Sequence, residues 1–300
     1  MLGCRTRLRF SFLLCTLPLL LPCASALGAE PEESVWHVPV DVSTPVYGHV
    51  RQSLIVVIVR EAGTARRPFA VLLHGRPFDA AGRTALGQVN YPANARYLAG
   101  LGFTVLIPTR VGYGFTGGPD LEYTGDCANK DFTAALATFP EEVEQVLAFA
   151  AGKGLLDRSR GLVIGESFGG IGALALGNGK VAGVRGVVNI SGGDGGDPSH
   201  VDEPCRPDQL ARALETLGHQ SRLPSLWMYS RNDRLWGPNH PAVWFDAYAR
   251  SGGRGQFVAL PADRNNGHYI FNRNAAAWHP AFEAFVAASG VFAGAPPGRP

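Results

Sequence analysis

Apolar positions in this chain fall in short unbroken runs, separated by stretches in which they recur every three to four residues. Eight runs stand out: "VWHVPV", "QSLIVVIV", "FAVLLHG", "TVLIPT", "GLVIGES", "VRGVVNIS", "SLWMYS" and "QFVALP". Each is strand-length and most are rich in β-branched residues, so each predicts a strand. Runs apolar throughout, rather than alternating, suit strands covered on both faces. Helical segments lie between them. "NARYLAGLG" closes on glycine. "FPEEVEQVLAFAAGKG" opens with Pro140, Glu141 and Glu142, and Val143, Val146, Leu147 and Ala150 then share one face. "GGIGALALGNG", "PDQLARALETLG", "PAVWFDAYARSG" and "AAAWHPAFEAFVAAS" complete the set. This alternation predicts an α/β fold with a doubly wound, mostly parallel sheet. Ligands of such sheets bind beyond the carboxyl ends of the strands, so chemistry is expected in the loops that follow them.

The first 27 residues depart from this pattern. Arg5, Arg7 and Arg9 precede the apolar core "FSFLLCTLPLLLP", and the small residues of "ASALGAE" follow, as in a cleaved export signal. The apolar run is too short to span a bilayer, and no later one is long enough. An uncleaved signal acting as an anchor is the alternative. The division expected is a signal at 1–27, one domain at 28–292, and a proline- and glycine-rich tail at 293–300 that frays. Removing the three signal arginines leaves 24 of the 27 basic residues against 25 acidic ones, turning the net charge from +2 to −1. No basic surface remains to argue for nucleic acid. Cys127 and Cys205 are the cysteines outside the signal, an even pair in a chain expected in the periplasm or outside the cell. They predict a disulfide, with two unrelated buried thiols as the alternative. Neither has a second Cys or a His at ligand spacing, so no metal site is expected.

Candidate chemistry begins at "GLVIGESFGG", where Ser167 stands between Gly165 and Gly169. In a chain with 38 glycines a G-x-S-x-G match is a weak signal by itself. Its context strengthens it. A strand before and a helix after make the strand–turn–helix junction that holds a serine in strained geometry with its hydroxyl exposed. A Cβ at Gly165 or Gly169 would collide with a neighbouring element. A serine hydroxyl needs a base. His268, in "QFVALPADRNNGHYIF", follows the last strand, whereas His37 and His49 lie in strands and His219 and His279 at or inside helices. His200 and His240 lie in other loops. The base in turn needs a carboxylate to hold its tautomer. Asp233, in "SLWMYSRNDRLWGP", directly follows a strand, and Asp194, in "NISGGDGGD", is its rival. The backbone amides of Phe168 and Arg76 are the expected oxyanion donors, with His74 a structural residue and the Arg76 guanidinium facing solvent. The bland alternative is an incidental serine, a satisfied histidine and a turn-forming aspartate.

In this order "LLHGRP", "RVGYGFTGG", "GESFGG", "SRNDRLWGP" and "NNGHYIF" resemble the α/β-hydrolase superfamily across nearly the whole chain after the signal. The sequence is most similar to secreted serine-dependent relatives of dienelactone hydrolase and to the catalytic domain of prolyl-oligopeptidase type. The resemblance implies an α/β-hydrolase fold, an eight-stranded and mostly parallel sheet with helices on both faces. About 30 residues separate "VVNIS" from "SLWMYS", so little or no cap is expected. It also implies Ser167 as nucleophile, His268 as base and Asp233 as acid, with no metal or organic cofactor and a small-molecule ester as substrate. Two departures matter. Dienelactone hydrolases carry a cysteine where this chain has Ser167, and the peptidases usually carry a propeller for which this chain has no room. The function expected is an exported serine hydrolase of carboxylic esters. The alternatives are a serine peptidase, a cofactor-free haloperoxidase and a non-catalytic hydrolase-like binding protein. Tyr113, Phe115, Tyr123, Trp236 and Tyr269, in or beside loops at strand ends, are expected to line a substrate pocket. A Cys127–Cys205 bridge would clamp two of those loops.

Overall fold

Residues 30–63 and 65–293 are described by a computed structural model. The expected signal at 1–27 and the tail from 294 lie outside them. The eight apolar runs form β1 (Glu32–Thr44), β2 (Gly48–Arg60), β3 (Arg67–Leu73), β4 (Thr104–Thr109), β5 (Leu156–Glu166), β6 (Val184–Ile190), β7 (Ser225–Ser230) and β8 (Gly255–Leu260). They make one sheet in the order β1-β2-β4-β3-β5-β6-β7-β8. The β1–β2 and β2–β4 pairs are antiparallel, and every pair from β4 across to β8 is parallel.

Eight helices accompany the sheet among the described residues: α1 (Ala80–Ala85), α2 (Pro92–Gly100), α3 (Thr133–Gly152), α4 (Phe168–Ala175), α5 (Pro207–Gln220), α6 (His240–Arg250), α7 (Ile270–Arg273) and α8 (Ala275–Ser289). Successive residues of each central strand enter opposite cores. Phe69, Val71, Leu73 and Val163 join a cluster with side chains of α3, α4, α5 and α6. Ala70, Leu72, Leu162 and Ile164 join a second cluster with α2 and α8. Coverage on both faces is the physical reason these strands read as apolar throughout.

Two sequence expectations change. Helix α3 begins at Thr133 and holds Pro140 in its interior, rather than opening at that proline. Ala135, Leu136 and Phe139 extend its buried face backward. That packing outweighs the one i→i−4 hydrogen bond a proline removes. Helices α1 and α7 escape the periodicity altogether. They span six and four residues, too short to show a helical repeat, and α1 depends on Asp79, whose carboxylate accepts the Gly82 N–H at 2.6 Å. Between β6 and β7 the chain forms a loop and α5, with no inserted subdomain, which leaves the carboxyl edge of the sheet uncapped. No described helix is long and apolar enough to cross a membrane.

Candidate active site

Ser167 stands between β5 and α4 with φ 56 and ψ −124. Positive φ is a costly conformation for a residue with a Cβ, maintained only where the surroundings impose it. Here they do. The Ser167 N–H donates to the Ile190 carbonyl at 3.0 Å, and the Ser167 carbonyl accepts from Gly170 at 2.8 Å and Gly193 at 3.2 Å. The junction is also too tight for side chains on its flanks. A Cβ on Gly165 would overlap the Gly169 carbonyl, and one on Gly169 would overlap the carbonyls of Leu73 and His74. Gly165 thus lets the start of α4 close onto β5, and Gly169 lets the serine turn sink against the end of β3.

Asp233 follows β7 in a tight turn, where its Oδ1 accepts the N–H of Leu235 at 3.0 Å and of Trp236 at 3.4 Å. His268 lies in a short 3₁₀ turn after β8, held by the N–H of Gly267 on the Asn232 carbonyl at 3.0 Å. A Cβ at Gly267 would overlap the Ser230 hydroxyl, so this glycine brings the histidine turn against the end of β7. His268 Nδ1 lies 3.0 Å from Asp233 Oδ2 and 3.2 Å from Oδ1. Donation from Nδ1 to the carboxylate leaves Nε2 as the basic nitrogen. Both side chains are buried, and Trp236 and Tyr269 pack edge-on against the imidazole. Burial opposes charge on His268, but the charge and hydrogen bond of Asp233, joined by the charge of Glu166, outweigh it and raise its pKa above the usual 6.5.

Ser167 and His268 line the same cavity, of about 1130 Å³. The Ser167 hydroxyl makes no hydrogen bond to another described residue. Nucleophile–base hydrogen bonds of unliganded sites are often long and tighten only around a substrate. Phe168 and Arg76 line the cavity as well, and among the described residues neither backbone N–H donates to a protein acceptor. Two free amides beside a serine hydroxyl are the donors a developing oxyanion requires.

Several expectations need correcting. The Arg76 guanidinium does not face solvent. It forks onto Asp120 with two 2.7 Å hydrogen bonds, and Arg83 reaches the same carboxylate at 3.1 Å. Tyr113 is fully buried beneath the cavity rather than lining it, with its hydroxyl on Glu122 and its ring edge-on to His74. The cause is Arg110, buried directly after β4, which must carry its own carboxylate inward. Its Nε lies 2.5 Å from Glu122 and its Nη1 donates to the His74 carbonyl at 2.8 Å, so the loop folds under rather than over the site. Phe115 is exposed and lies outside the cavity lining. Tyr123, Trp236 and Tyr269 do line it, Tyr123 at the exposed mouth.

Asp194 sits away from His268. Its carboxylate accepts from Thr124 at 2.7 Å and from Lys130 at 3.1 Å. Beside it Cys127 and Cys205 form a disulfide, Cα–Cα 5.0 Å, joining the loop after β4 to the loop after β6. Both cysteines lie on the cavity wall, so the clamp expected between two site loops is present. No cluster of three or more His, Cys, Asp or Glu suited to a metal occurs among the described residues.

Three residues of the site went unnoticed in the sequence. Glu166, Tyr91 and Asn272 meet on the cavity lining, with Tyr91 Oη donating to Glu166 at 2.8 Å. The available signal was the position of Glu166 inside the serine motif. Tyr91 and Asn272 are polar loop residues with no sequence mark. The wall between β3 and α2, including Phe78, Asp79 and Arg83, was also illegible because α1 was.

Comparison with known proteins places the fold that carries this site. The model of a family described as the alpha/beta hydrolase family matches residues 70–297. No curated protein matches the sequence. Among solved structures, an acylaminoacyl peptidase from Pyrococcus horikoshii is similar at TM-score 0.56 and 12% identity, over 90% of this chain and 43% of its own. This chain thus spans about two fifths of that peptidase. A putative dienelactone hydrolase from Klebsiella pneumoniae subsp. pneumoniae is similar at TM-score 0.54 and 15% identity, over 88% of this chain and 99% of that one. An acetyl xylan esterase from a Paenibacillus species is similar at TM-score 0.54 and 16% identity, over 86% and 89%. At these identities the likeness is one of fold.

Proposed function

The chain belongs to the alpha/beta hydrolase family, and on that premise we propose that it is an exported serine hydrolase acting on carboxylic esters. One observation carries this reading: the strained turn at the end of β5 puts Ser167 on the wall of the cavity that is also lined by His268, whose Nδ1 is paired with the buried Asp233 behind it. Ser167 Oγ attacks the ester carbonyl carbon while His268 Nε2 takes the hydroxyl proton. The N–H groups of Phe168 and Arg76 receive the oxyanion. Collapse of the tetrahedral species breaks the C–O bond, and His268 returns the proton to the departing alcohol. Water, deprotonated by the same histidine, then releases the acid and restores Ser167. Asp233 holds the imidazole orientation and balances the imidazolium formed in both halves.

Esters are supported over peptides by the structural likeness to a dienelactone hydrolase and a xylan esterase along most of the length of each. A cavity of about 1130 Å³ leaves room for both the acyl and the alcohol portion of a small molecule. Export to an oxidising compartment is supported by the disulfide. The test is turnover of short-chain aryl esters beside peptide anilides, in wild type and Ser167→Ala. Ester hydrolysis that falls at least about 10⁴-fold in the variant is expected. Faster cleavage of the anilides, or wild-type ester turnover by Ser167→Ala, would contradict the proposal.

A further inference from the structure

Glu166 has no task in the reaction just described. It directly precedes Ser167, is 7% exposed, and lines the cavity with Ser167 and His268. A carboxylate so placed requires donors. Two reach it, from different elements. Tyr91 donates its hydroxyl to Oε2 at 2.8 Å, from a left-handed backbone conformation (φ 44, ψ 53) directly before α2. A tyrosine holds that conformation only where its surroundings impose it. Asn272 on α7 approaches both carboxylate oxygens, at 3.3 and 3.2 Å. Asn272 stands four residues beyond His268, so Glu166 ties the serine turn to the segment that carries the histidine.

The electrostatics run along the same path. Asp233 and Glu166 are the two carboxylates acting on His268, and the charge of each favours its protonated form against burial. On Glu166 itself burial raises the pKa, opposed by the hydrogen bond from Tyr91, the charge of His268, the hydrogen bond from Asn272 and the charge of Arg273. Arg273 packs over the Tyr269 ring at 4.4 Å, and Tyr269 in turn packs edge-on against His268.

We propose, resting on the reading of His268 as general base, that Glu166 is a positioning residue of this hydrolase. It anchors the His268 segment through Asn272, is itself oriented by Tyr91, and with Asp233 forms a pair of carboxylates that stabilise the imidazolium generated in each half of the reaction. Glu166 touches neither the substrate carbonyl nor the departing alcohol in this account.

The test follows the His268 Hε1 resonance against pH by NMR, assigned by its loss in His268→Gln, alongside the acid limb of kcat/KM. Glu166→Gln keeps the shape of the side chain and removes its charge. The expected result is a lower His268 midpoint, corresponding to a fall in proton affinity of at least about twofold. The acid limb moves to lower pH by the same amount. Glu166→Asp, which keeps the charge, restores the midpoint at least in part. Tyr91→Phe removes a hydrogen bond that favours the carboxylate and gives a smaller shift in the same direction, which carries the test if Glu166→Gln does not fold. An unmoved midpoint in folded Glu166→Gln and Tyr91→Phe, whatever their stability, would overturn the proposal. If Ser167→Ala retains wild-type turnover, the functional reading fails instead. An inert Ser167→Ala with an unmoved midpoint sinks the role of Glu166 alone.

Discussion

Each of two aspartates could serve His268 by sequence position, and their side-chain partners separate them. Asp233 lies within 3.0 Å of Nδ1, and the N–H groups of Leu235 and Trp236 fix its Oδ1. Asp194 spends its carboxylate on Lys130 and Thr124. Asp233→Asn is therefore expected to lower kcat by about 10⁴-fold, since an amide facing Nδ1 favours the wrong tautomer. Asp194→Asn should cost less than about tenfold. Steady-state kinetics on one aryl ester decide it, and the reverse ranking would reassign the acid. That Ser167, His268 and Asp233 come together at one end of the sheet was legible because each follows a strand, and a parallel sheet brings strand ends to one edge. Tyr113 misled for the same reason. It too follows a strand, but the buried Arg110 before it draws the loop under the site, and nothing local in the sequence marks an arginine as buried.

Helix α3 carries the second buried carboxylate beneath the site. Glu142 is 2% exposed, and its Oε2 has no hydrogen-bond partner among the described residues. Burial, with the nearby charge of Glu122, pushes its pKa up to about 8 from an ordinary 4.5, against the pull of Arg110. Between those values the folded chain keeps a proton that the unfolded chain has released. The stability this group contributes is complete below pH 4.5 and is lost as pH rises to about 8. Glu142→Gln, neutral at every pH, is expected to match wild type near pH 4.5 and to exceed its Tm at pH 9. Thermal unfolding at the two pH values checks this, and a variant no more stable at pH 9 would refute it. Nothing in the helical periodicity around Val143, Val146 and Leu147 flagged Glu142, because one acid on an apolar face reads as a boundary residue until its neighbours are placed. The early start of α3 was hidden likewise: Pro140 marks a helix opening locally, and only packing of Leu136 and Phe139 overrides it.

Across the whole molecule, the eight strands and their coverage on both faces were readable because they depend on apolar runs alone, whereas the order of the strands depends on their crossovers and the cavity wall on loops pinned by long-range contacts. The Cys127–Cys205 bridge is the strongest of these, closing 78 residues of chain between the loops after β4 and β6. Its removal in the double variant Cys127→Ala, Cys205→Ala is expected to reduce unfolding free energy by about 2–4 kcal/mol. Freed of the clamp, the loops bearing Tyr123, Lys130 and Asp194 should raise KM more than they lower kcat. Denaturant titration and ester kinetics read the two effects, and an unchanged midpoint would show that the loops are held by their hydrogen bonds and the Lys130–Asp194 pair alone.

Reaction with a fluorophosphonate probe, followed by intact mass and peptide mapping, tests the central claim most directly. The arrangement around Ser167 predicts a single stoichiometric adduct on the peptide spanning residues 161–175, absent from Ser167→Ala and strongly slowed in folded His268→Gln. A folded wild-type protein that takes up no probe, or an adduct that persists in Ser167→Ala, would contradict it.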